Sequence, residues 1–291
     1  MKYTGWLIYE DEHASKNNAF IQWFLDEAPL LNMDLHFYLQ SEITFGVRNK
    51  QLFLDVKGIE LQLPDFVILR DINPLLSKQL EMLGIPCFNS SFVSSICNDK
   101  AFTHQYLAAH HIPMLDTYLI NRKTLLLTKK APLPFPFVLK VRSGRSGNEV
   151  FLINNEIEFV HLLRIIENND LLLQPLASSP GKDVRVFVVG QNIVGAVMRY
   201  NDNDFKANYT LGGHAKEYIL NEDEKKIVEK IVSLFSLGMA GIDFLFDQEG
   251  NLLFNEIEDV VGCRTLCKVT DINIVKLYLE YICGQLNKGE S

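Results

Sequence analysis

Cysteine, positive charge and long apolar runs are all scarce in this 291-residue sequence. Its five cysteines are scattered and odd in number, which argues against a disulfide framework and fits thiols that stay reduced in a cytosol. Lysine and arginine number 28 against 36 acidic residues, so the net charge is −8 and we expect no nucleic-acid partner. The sequence has no apolar run of about 18 residues and no signal-peptide pattern. We therefore expect a cytoplasmic protein without a membrane span.

The composition that remains is that of an ordinary globular protein, with 47% hydrophobic and 22% charged residues. This is enough to build a sizeable core, or several small lobes around one site. Short apolar strands alternate with helices over residues 1–97, which predicts a small α/β domain there. Strand-rich sequence follows, and we divide it into a small lobe at 98–172 and a larger lobe at 173–291. At the start of the small lobe, helical periodicity predicts a single helix from about residue 91 to Ile112.

Three carboxylates close together near the C-terminus form the most informative cluster. Two apolar segments around a Gln-Glu-Gly turn predict a β-hairpin, and counting outward from the turn places Asp243 opposite Glu256. Glu258 follows two positions later. Carboxylates packed this closely repel one another unless a cation lies between them, and hard oxygen ligands suit Mg²⁺. The alternative is a solvated outer face on an edge hairpin.

The same strand raises a question about which side of the sheet these acids occupy. Strict alternation places Leu252, Phe254, Glu256 and Glu258 on one face. A carboxylate among apolar neighbours is costly unless it is paired or bound to a metal. The pattern therefore indicates either a solvated face or a face that holds cations.

A glycine- and serine-rich loop, RSGRSGN, follows an apolar strand that ends in Lys140. Small side chains let backbone N–H groups come close to an anion. The candidate residues are Ser143, Gly144, Ser146 and Gly147. The loop joins two strands rather than a strand and a helix, so it lacks the Walker arrangement and is a weak signal alone.

Three further basic residues are separated along the chain: Lys100 in a predicted helix, and Arg185 and Arg199 in adjacent predicted strands. Each one taken singly reads as a surface charge. Their order relative to the loop and the carboxylates gives them more weight.

Taken in order, these features resemble the ATP-grasp superfamily, and most closely its RimK-like branch of ribosomal-protein glutamate ligases and related amino-acid ligases. The resemblance extends over about residues 85–285. It is carried by Lys100, Lys140 with its loop, LLLQPL, GKDVRVFVVG, NYTLGGHAK, Asp243 and NEIE. It implies a fold of the α+β and α/β classes, in which an N-terminal α/β (pre-ATP-grasp) domain precedes two lobes that sandwich ATP.

The resemblance implies an ATP-dependent carboxylate–amine ligase. In such enzymes a substrate carboxylate attacks the γ-phosphate to give an acylphosphate and ADP, and an amine then displaces phosphate to form an amide. The implied cofactors are ATP and Mg²⁺, with Mn²⁺ as an alternative ion. The implied partners are small amino-acid or peptide carboxylates and amines, and the oligomeric state stays open, with a homo-oligomer as one alternative. A phosphotransferase and a non-catalytic ATP-binding protein stay open as alternatives on the same scaffold.

Residue roles carry over position by position. Nucleotide contacts are implied for Lys100, Lys140, Ser143, Gly144, Ser146, Gly147, Gln174, Pro175, Leu176, Asp183 and Phe254. Catalytic roles are implied for Arg185, Arg199, Asn208 and Gly213, and metal ligation for Asp243, Glu256 and Glu258. The last position departs from the usual Glu-x-Asn pattern of the family, and the extra charge bears on the substrate and on the second ion.

Overall fold

A computed structural model describes residues 2–144, 149–207 and 213–289, and the strands in these ranges form four sheets. The strands are β1 (Tyr3–Tyr9), β2 (Met33–Leu39), β3 (Ile43–Arg48), β4 (Gln51–Val56), β5 (Ile59–Glu60), β6 (Phe66–Leu69), β7 (Cys87–Phe88), β8 (Tyr118–Asn121), β9 (Phe137–Val141), β10 (Val150–Ile153), β11 (Asp170–Pro175), β12 (Lys182–Val189), β13 (Asn192–Tyr200), β14 (His214–Glu217), β15 (Met239–Phe246) and β16 (Leu252–Glu258).

The α-helices lie between these strands, together with two short 3₁₀ segments at Ala28–Leu31 and Gln40–Glu42. They are α1 (Asp11–Lys16), α2 (Asn18–Glu27), α3 (Pro74–Met82), α4 (Ser91–Cys97), α5 (Lys100–Ala109), α6 (Arg122–Thr128), α7 (Glu156–Ile165), α8 (Glu222–Ser233), α9 (Arg264–Val269) and α10 (Ile274–Gly289). Among the described residues, none of these helices combines the length and apolar character needed to cross a membrane.

The N-terminal part is built on a parallel sheet with the strand order β2-β1-β6-β7. All four residues of β6 are buried, as expected for a central parallel strand covered on both faces. Helix α3 begins at Pro74, where the Asn73 side chain accepts a hydrogen bond from the Leu76 N–H at 3.0 Å. A small separate sheet, β3-β4-β5, was not predicted.

Two antiparallel sheets make up the rest of the chain, with the strand orders β10-β9-β11-β8 and β14-β13-β12-β15-β16. The first packs on its own core, which includes Phe137, Phe159 and Leu173. The predicted boundary between residues 172 and 173 falls inside β11, so it cuts a strand of this sheet. The three-part division of the chain stays a prediction.

The single helix predicted from about residue 91 to Ile112 is wrong, because α4 and α5 are separate helices. They break at Asn98 and Asp99, and the Asp99 side chain accepts a hydrogen bond from the Phe102 N–H at 3.1 Å. A short acidic side chain satisfies the free N–H groups of a helix start better than it fits a helix interior. The cap fixes Lys100 at the first position of α5.

The strand pairing of β15 and β16 contains a β-bulge at Asn255. Asp243 pairs with Glu256 as predicted, but Phe244 pairs with Phe254, which leaves Asn255 without an opposite residue. An extra residue in one strand reverses the alternation of side chains beyond it. Leu252 and Phe254 therefore lie in the core, whereas Glu256 is half-buried in the wall of a cleft. The prediction that all of them share one face is wrong.

Candidate active site

A cleft lies between the two antiparallel sheets, a concave position of the kind that small-molecule ligands occupy. Strands of both sheets line it. The lining residues that the sequence predicted are Lys100, Lys140, Gln174, Pro175, Leu176, Asp183 and Glu256. Apolar side chains such as Val138, Val150 and Leu245 complete the wall.

Two lysines reach this cleft from different elements. Lys140, on β9, is only 8% exposed, and its Nζ donates to Asn255 Oδ1 at 2.8 Å. Burial lowers the pKa of Lys140 to about 8, although the charge of Glu256 opposes the shift. Lys100 Nζ lies 3.1 Å from Glu256 Oε2 and donates to the Gly144 carbonyl oxygen at 2.8 Å. Both ammonium groups therefore lie beside the acidic strand β16.

The three predicted metal ligands come together on β15 and β16. One carboxylate oxygen from each of Asp243, Glu256 and Glu258 lies within 4.8 Å of the others. Burial and the neighbouring carboxylates raise the pKa of Glu258, and Arg185 only partly offsets this. Burial acts in the same direction on Glu256, but the charges of Lys100 and Lys140 and the hydrogen bond with Lys100 together outweigh it, and the pKa of Glu256 is lowered.

A buried network of opposite charges holds Asp243 in place. Arg185 donates through Nε and Nη2 to the two Asp243 oxygens at 2.7 Å each, and through Nη2 to Glu258 Oε1 at 2.6 Å. Arg199 makes the same paired contact with Asp183 at 2.7 and 2.6 Å, and donates to Asp243 Oδ2 at 2.7 Å. Burial alone would raise the pKa of Asp243, but the two arginines lower it to about 2. Asp243 is therefore an anion held in a fixed orientation.

The register of the large sheet explains why this network forms. Asp183 is paired with Arg199 across β12 and β13, and Arg185 with Asp243 across β12 and β15. Facing residues in neighbouring strands lie close enough for their side chains to interact. The sequence thus places alternating charges in neighbouring strands.

The remaining predicted residues lie at the edges of this site or outside the described residues. Ser143 lines a separate polar cavity with Arg142, and Gly144 is packed so closely that an added Cβ would meet Glu149 Cβ at 2.9 Å. Gly213 is buried just before β14. Ser146, Gly147 and Asn208 fall in the two segments that the structure does not describe.

The predicted nucleotide contact of Phe254 is contradicted, because the structure places the Phe254 side chain in the core and not in the cleft. It is 1% exposed, and its ring centroid lies 6.5 Å from that of Phe244. The bulge at Asn255 accounts for the difference, because it makes the side chains of Phe254 and Glu256 point to different faces of the strand.

Sequence reasoning also missed residues that shape the cleft. Asn255 is the hydrogen-bond partner of Lys140, and its position directly before Glu256 was the available signal. Asp99 caps α5 and also binds Arg142 at 2.5 Å, so it joins the helix of Lys100 to the start of the Gly/Ser loop. An Asn-Asp pair inside a helical pattern was the signal for this cap.

The residues present fit the cofactors that the resemblance implies. Three converging carboxylates offer the hard oxygen ligands that Mg²⁺ prefers. Two lysines beside them are suited to phosphate groups. In the neighbouring wall, Gln174 Oε1 is buried without a hydrogen-bond partner among the described residues.

Comparisons with known proteins agree with the family that the sequence predicts. The RimK-like ATP-grasp domain matches residues 97–282. An uncharacterized protein of Mycoplasma pneumoniae is 30% identical over 85% of this chain and 87% of its own. Human β-citrylglutamate synthase B is 25% identical over 88% of this chain and 70% of its own. The structure of the ATP-grasp ligase PsnB, complexed with a precursor variant, Mg and ADP, covers 98% of this chain and 99% of its own with a TM-score of 0.71 at 15% identity.

Proposed function

Because the chain belongs to the RimK-like ATP-grasp family, we propose that its cleft joins a small amino-acid or peptide carboxylate to an amine. Family membership confirms the predicted family and the ATP-grasp fold. The chain is an ATP-dependent carboxylate–amine ligase, which acts through an acylphosphate, releases ADP and phosphate, and uses ATP and Mg²⁺. What remains to be assigned is the role of each side chain and the identity of the two substrates.

The observation that carries the assignment of roles is that two lysines and three carboxylates lie close together, and Lys100, Lys140 and Glu256 of this set line the cleft. Lys100 Nζ lies 3.1 Å from Glu256, and the three acids converge within 4.8 Å. A site of this kind can hold the phosphate groups from one side and divalent ions from the other. Phosphoryl transfer needs little more from a protein than this positioning and charge stabilisation.

In this proposal Lys100 and Lys140 hold and orient the phosphates. Asp243, Glu256 and Glu258 would hold Mg²⁺, which when bound neutralises charge on the transferring phosphoryl group. Glu258 stands where the family usually has Asn, and it is ion-paired with Arg185 at 2.6 Å. The extra carboxylate thus shares the cationic partner of Asp243.

The catalytic roles of Arg185 and Arg199 stay predictions. Both guanidinium groups are buried and engaged by carboxylates, with Asp243 shared between them. This supports a role in orienting Asp243, through which they would act on the reacting centre. Asn208 and Gly213 also stay predicted members of the reacting centre, since their loop lies largely outside the described residues.

The experiment that tests the proposal incubates the purified chain with ATP, Mg²⁺ and pairs of acids and amines. The name of the human relative makes citrate and glutamate the first pair, followed by short peptides that end in glutamate. We expect ADP and phosphate in equal amounts, and an amide product by mass spectrometry, only when both substrates are present.

Two outcomes would contradict the ligase proposal, and each points to one of the alternatives. A phosphorylated product that persists without released phosphate would identify a phosphotransferase. Tight binding of ATP and Mg²⁺ with no turnover on any substrate pair would identify a non-catalytic nucleotide-binding protein.

A further inference from the structure

Cys263 and Cys267 lie at the start of α9, away from the residues that line the cleft, and their sulfur atoms are 3.6 Å apart. Cys263 is the last residue before α9, and its carbonyl oxygen accepts a hydrogen bond from the Cys267 N–H at 2.9 Å. One helical turn therefore places the two thiols on the same side of the helix. The remaining cysteines lie on other elements, namely β7, α4 and α10.

The two thiols differ in their access to solvent. Cys267 is exposed, whereas Cys263 is 6% exposed and packs in the core cluster that contains Val261 and Leu266. A small molecule in solution can therefore reach the Cys267 sulfur, while the core covers the Cys263 sulfur behind it. In a close pair of this kind the outer thiol reacts first, and the inner thiol then reacts with the product.

The contact between the sulfurs also makes the two thiols chemically unequal. The hydrogen bond between them lowers the pKa of Cys267 to about 7, since a protonated Cys263 can donate to the Cys267 thiolate. The same contact, together with burial, raises the pKa of Cys263. Burial likewise raises the pKa of Cys97 and that of Cys283. Because the thiolate is the reactive form of cysteine, Cys267 is expected to react faster than these other thiols.

We propose that Cys263 and Cys267 form a peroxide-responsive dithiol, in which Cys267 attacks the peroxide and Cys263 resolves the product to a disulfide. The oxidant is a hydroperoxide, ROOH. The Cys267 sulfur takes one peroxide oxygen as the O–O bond breaks, which gives a sulfenic acid, and a proton from solvent completes the alcohol ROH. The Cys263 sulfur then forms the S–S bond as the S–O bond breaks, and the hydroxyl leaves with the Cys263 proton as water. Two thiols and one hydroperoxide thus give one disulfide, one alcohol and one water.

The second step needs a small movement at the start of α9. An S–S bond is about 2.05 Å long, so the sulfurs must approach each other by about 1.5 Å. Cys263 lies outside the regular helix, with φ −99° and ψ 8°, so a shift of this residue can bring the sulfurs together. Oxidation also removes the negative charge of Cys267, which is one cause of the raised pKa of Cys263. The resolving thiol therefore becomes easier to ionise after the first step.

The test treats the reduced, full-length protein with a small molar excess of hydrogen peroxide and follows it by mass spectrometry without reductant. We expect the intact mass to fall by about 2 Da, the two hydrogens lost in disulfide formation, and to return with dithiothreitol. Trypsin cuts after Arg264, between the two cysteines, so the disulfide should keep the peptide that ends at Arg264 joined to the one that contains Cys267.

Two variants separate the two steps. Cys263→Ser removes the resolving thiol, so a sulfenic acid should accumulate at Cys267 and be trapped by dimedone. Cys267→Ser, at an exposed position, should abolish both the disulfide and the dimedone adduct. Cys283→Ser, which changes the half-buried thiol of α10, is the matched control and should respond to peroxide as the wild type does.

The wild-type measurement decides the proposal even if Cys263→Ser does not fold. Oxidation of Cys267 directly to sulfinic or sulfonic acid, or a disulfide that involves another cysteine or a second chain, would overturn it. An unreactive Cys267 would overturn it as well. None of these results would affect the ligase proposal, because neither thiol belongs to the cleft.

Discussion

The two walls of the cleft handle buried charge in different ways. In the wall formed by β9 and β11, the buried Lys140 has a neutral partner, Asn255, and the Gln174 amide oxygen has no hydrogen-bond partner in the described part of the chain. In the wall formed by β12 and β15, Arg185 and Asp243 bind each other through paired hydrogen bonds. The first wall is stabilised when a ligand completes its interactions, whereas the second is complete as it stands. Substitutions in the first wall should therefore change ligand binding with little change in the stability of the fold. Substitutions in the second wall should change both.

The largest effect is expected from Asp243→Asn in the second wall. It leaves two buried arginines without their shared anion, and breaking a buried ion pair in this way typically costs about 3–5 kcal/mol. It also removes a proposed metal ligand, so we expect turnover to fall by at least about 100-fold. Urea unfolding gives the first quantity and phosphate release the second.

Glu256→Gln is the matched variant, because its partner Lys100 is partly exposed and its loss should barely change the free energy of unfolding. Its turnover should fall as steeply as that of Asp243→Asn, and its binding of Mn²⁺ should weaken. Turnover near the wild-type rate would remove Glu256 from the ligand set. Full stability in Asp243→Asn would show that the buried network does not hold the sheet together.

A smaller effect is expected from Lys140→Met in the first wall. The pKa of Lys140 is lowered from 10.5 to about 8 by burial, so the folded state loses this proton before the unfolded state does. Below pH 8 the buried charge of Lys140 therefore lowers the free energy of unfolding. This unfavourable contribution decreases as the pH rises from about 8 to 10.5. ATP affinity should begin to weaken at the same pH, about 8, because the charged form of Lys140 is the one that holds phosphate.

In Lys140→Met we expect ATP affinity at pH 7 to fall about tenfold, the value for one lost contact of about 1.4 kcal/mol, without loss of thermal stability. The weakening of ATP binding above pH 8 should disappear. Lys130→Met, at an exposed position, serves as the control and should behave as the wild type. A Lys140→Met protein that melts well below the wild type would show that Lys140 is a structural residue.

The smallest effect is expected from Phe254→Leu. This variant tests whether Phe254 belongs to the core behind the second wall or to the nucleotide site. Phe254 is 1% exposed and packs on Phe244, so a smaller apolar side chain should cost about 1 kcal/mol of unfolding free energy. ATP affinity and turnover should not change. A clear loss of ATP affinity at constant stability would return Phe254 to the nucleotide site.

The sequence predicted which residues lie close together better than it predicted the directions of their side chains. A short turn fixes the register of a hairpin, so Asp243 could be placed opposite Glu256 by counting. The bulge at Asn255 could not be found in this way, because an extra residue in a strand leaves no mark on composition. The break before Lys100 was missed because helical periodicity continues through it, and only the capping preference of Asp99 indicates the end of α4.

The bulge also separates two kinds of environment within a single strand. Leu252 and Phe254, before Asn255, lie in the core, and so does Ile257 after it, whereas Glu256 and Glu258 belong to the proposed metal site. Changes of side chain can therefore accumulate in the first half without turning the acids of the second half. An insertion or deletion between Phe254 and Glu256 would instead exchange Ile257 and Glu258 between the two environments. In this segment of the chain, we expect a change of length to be more disruptive than a change of side chain.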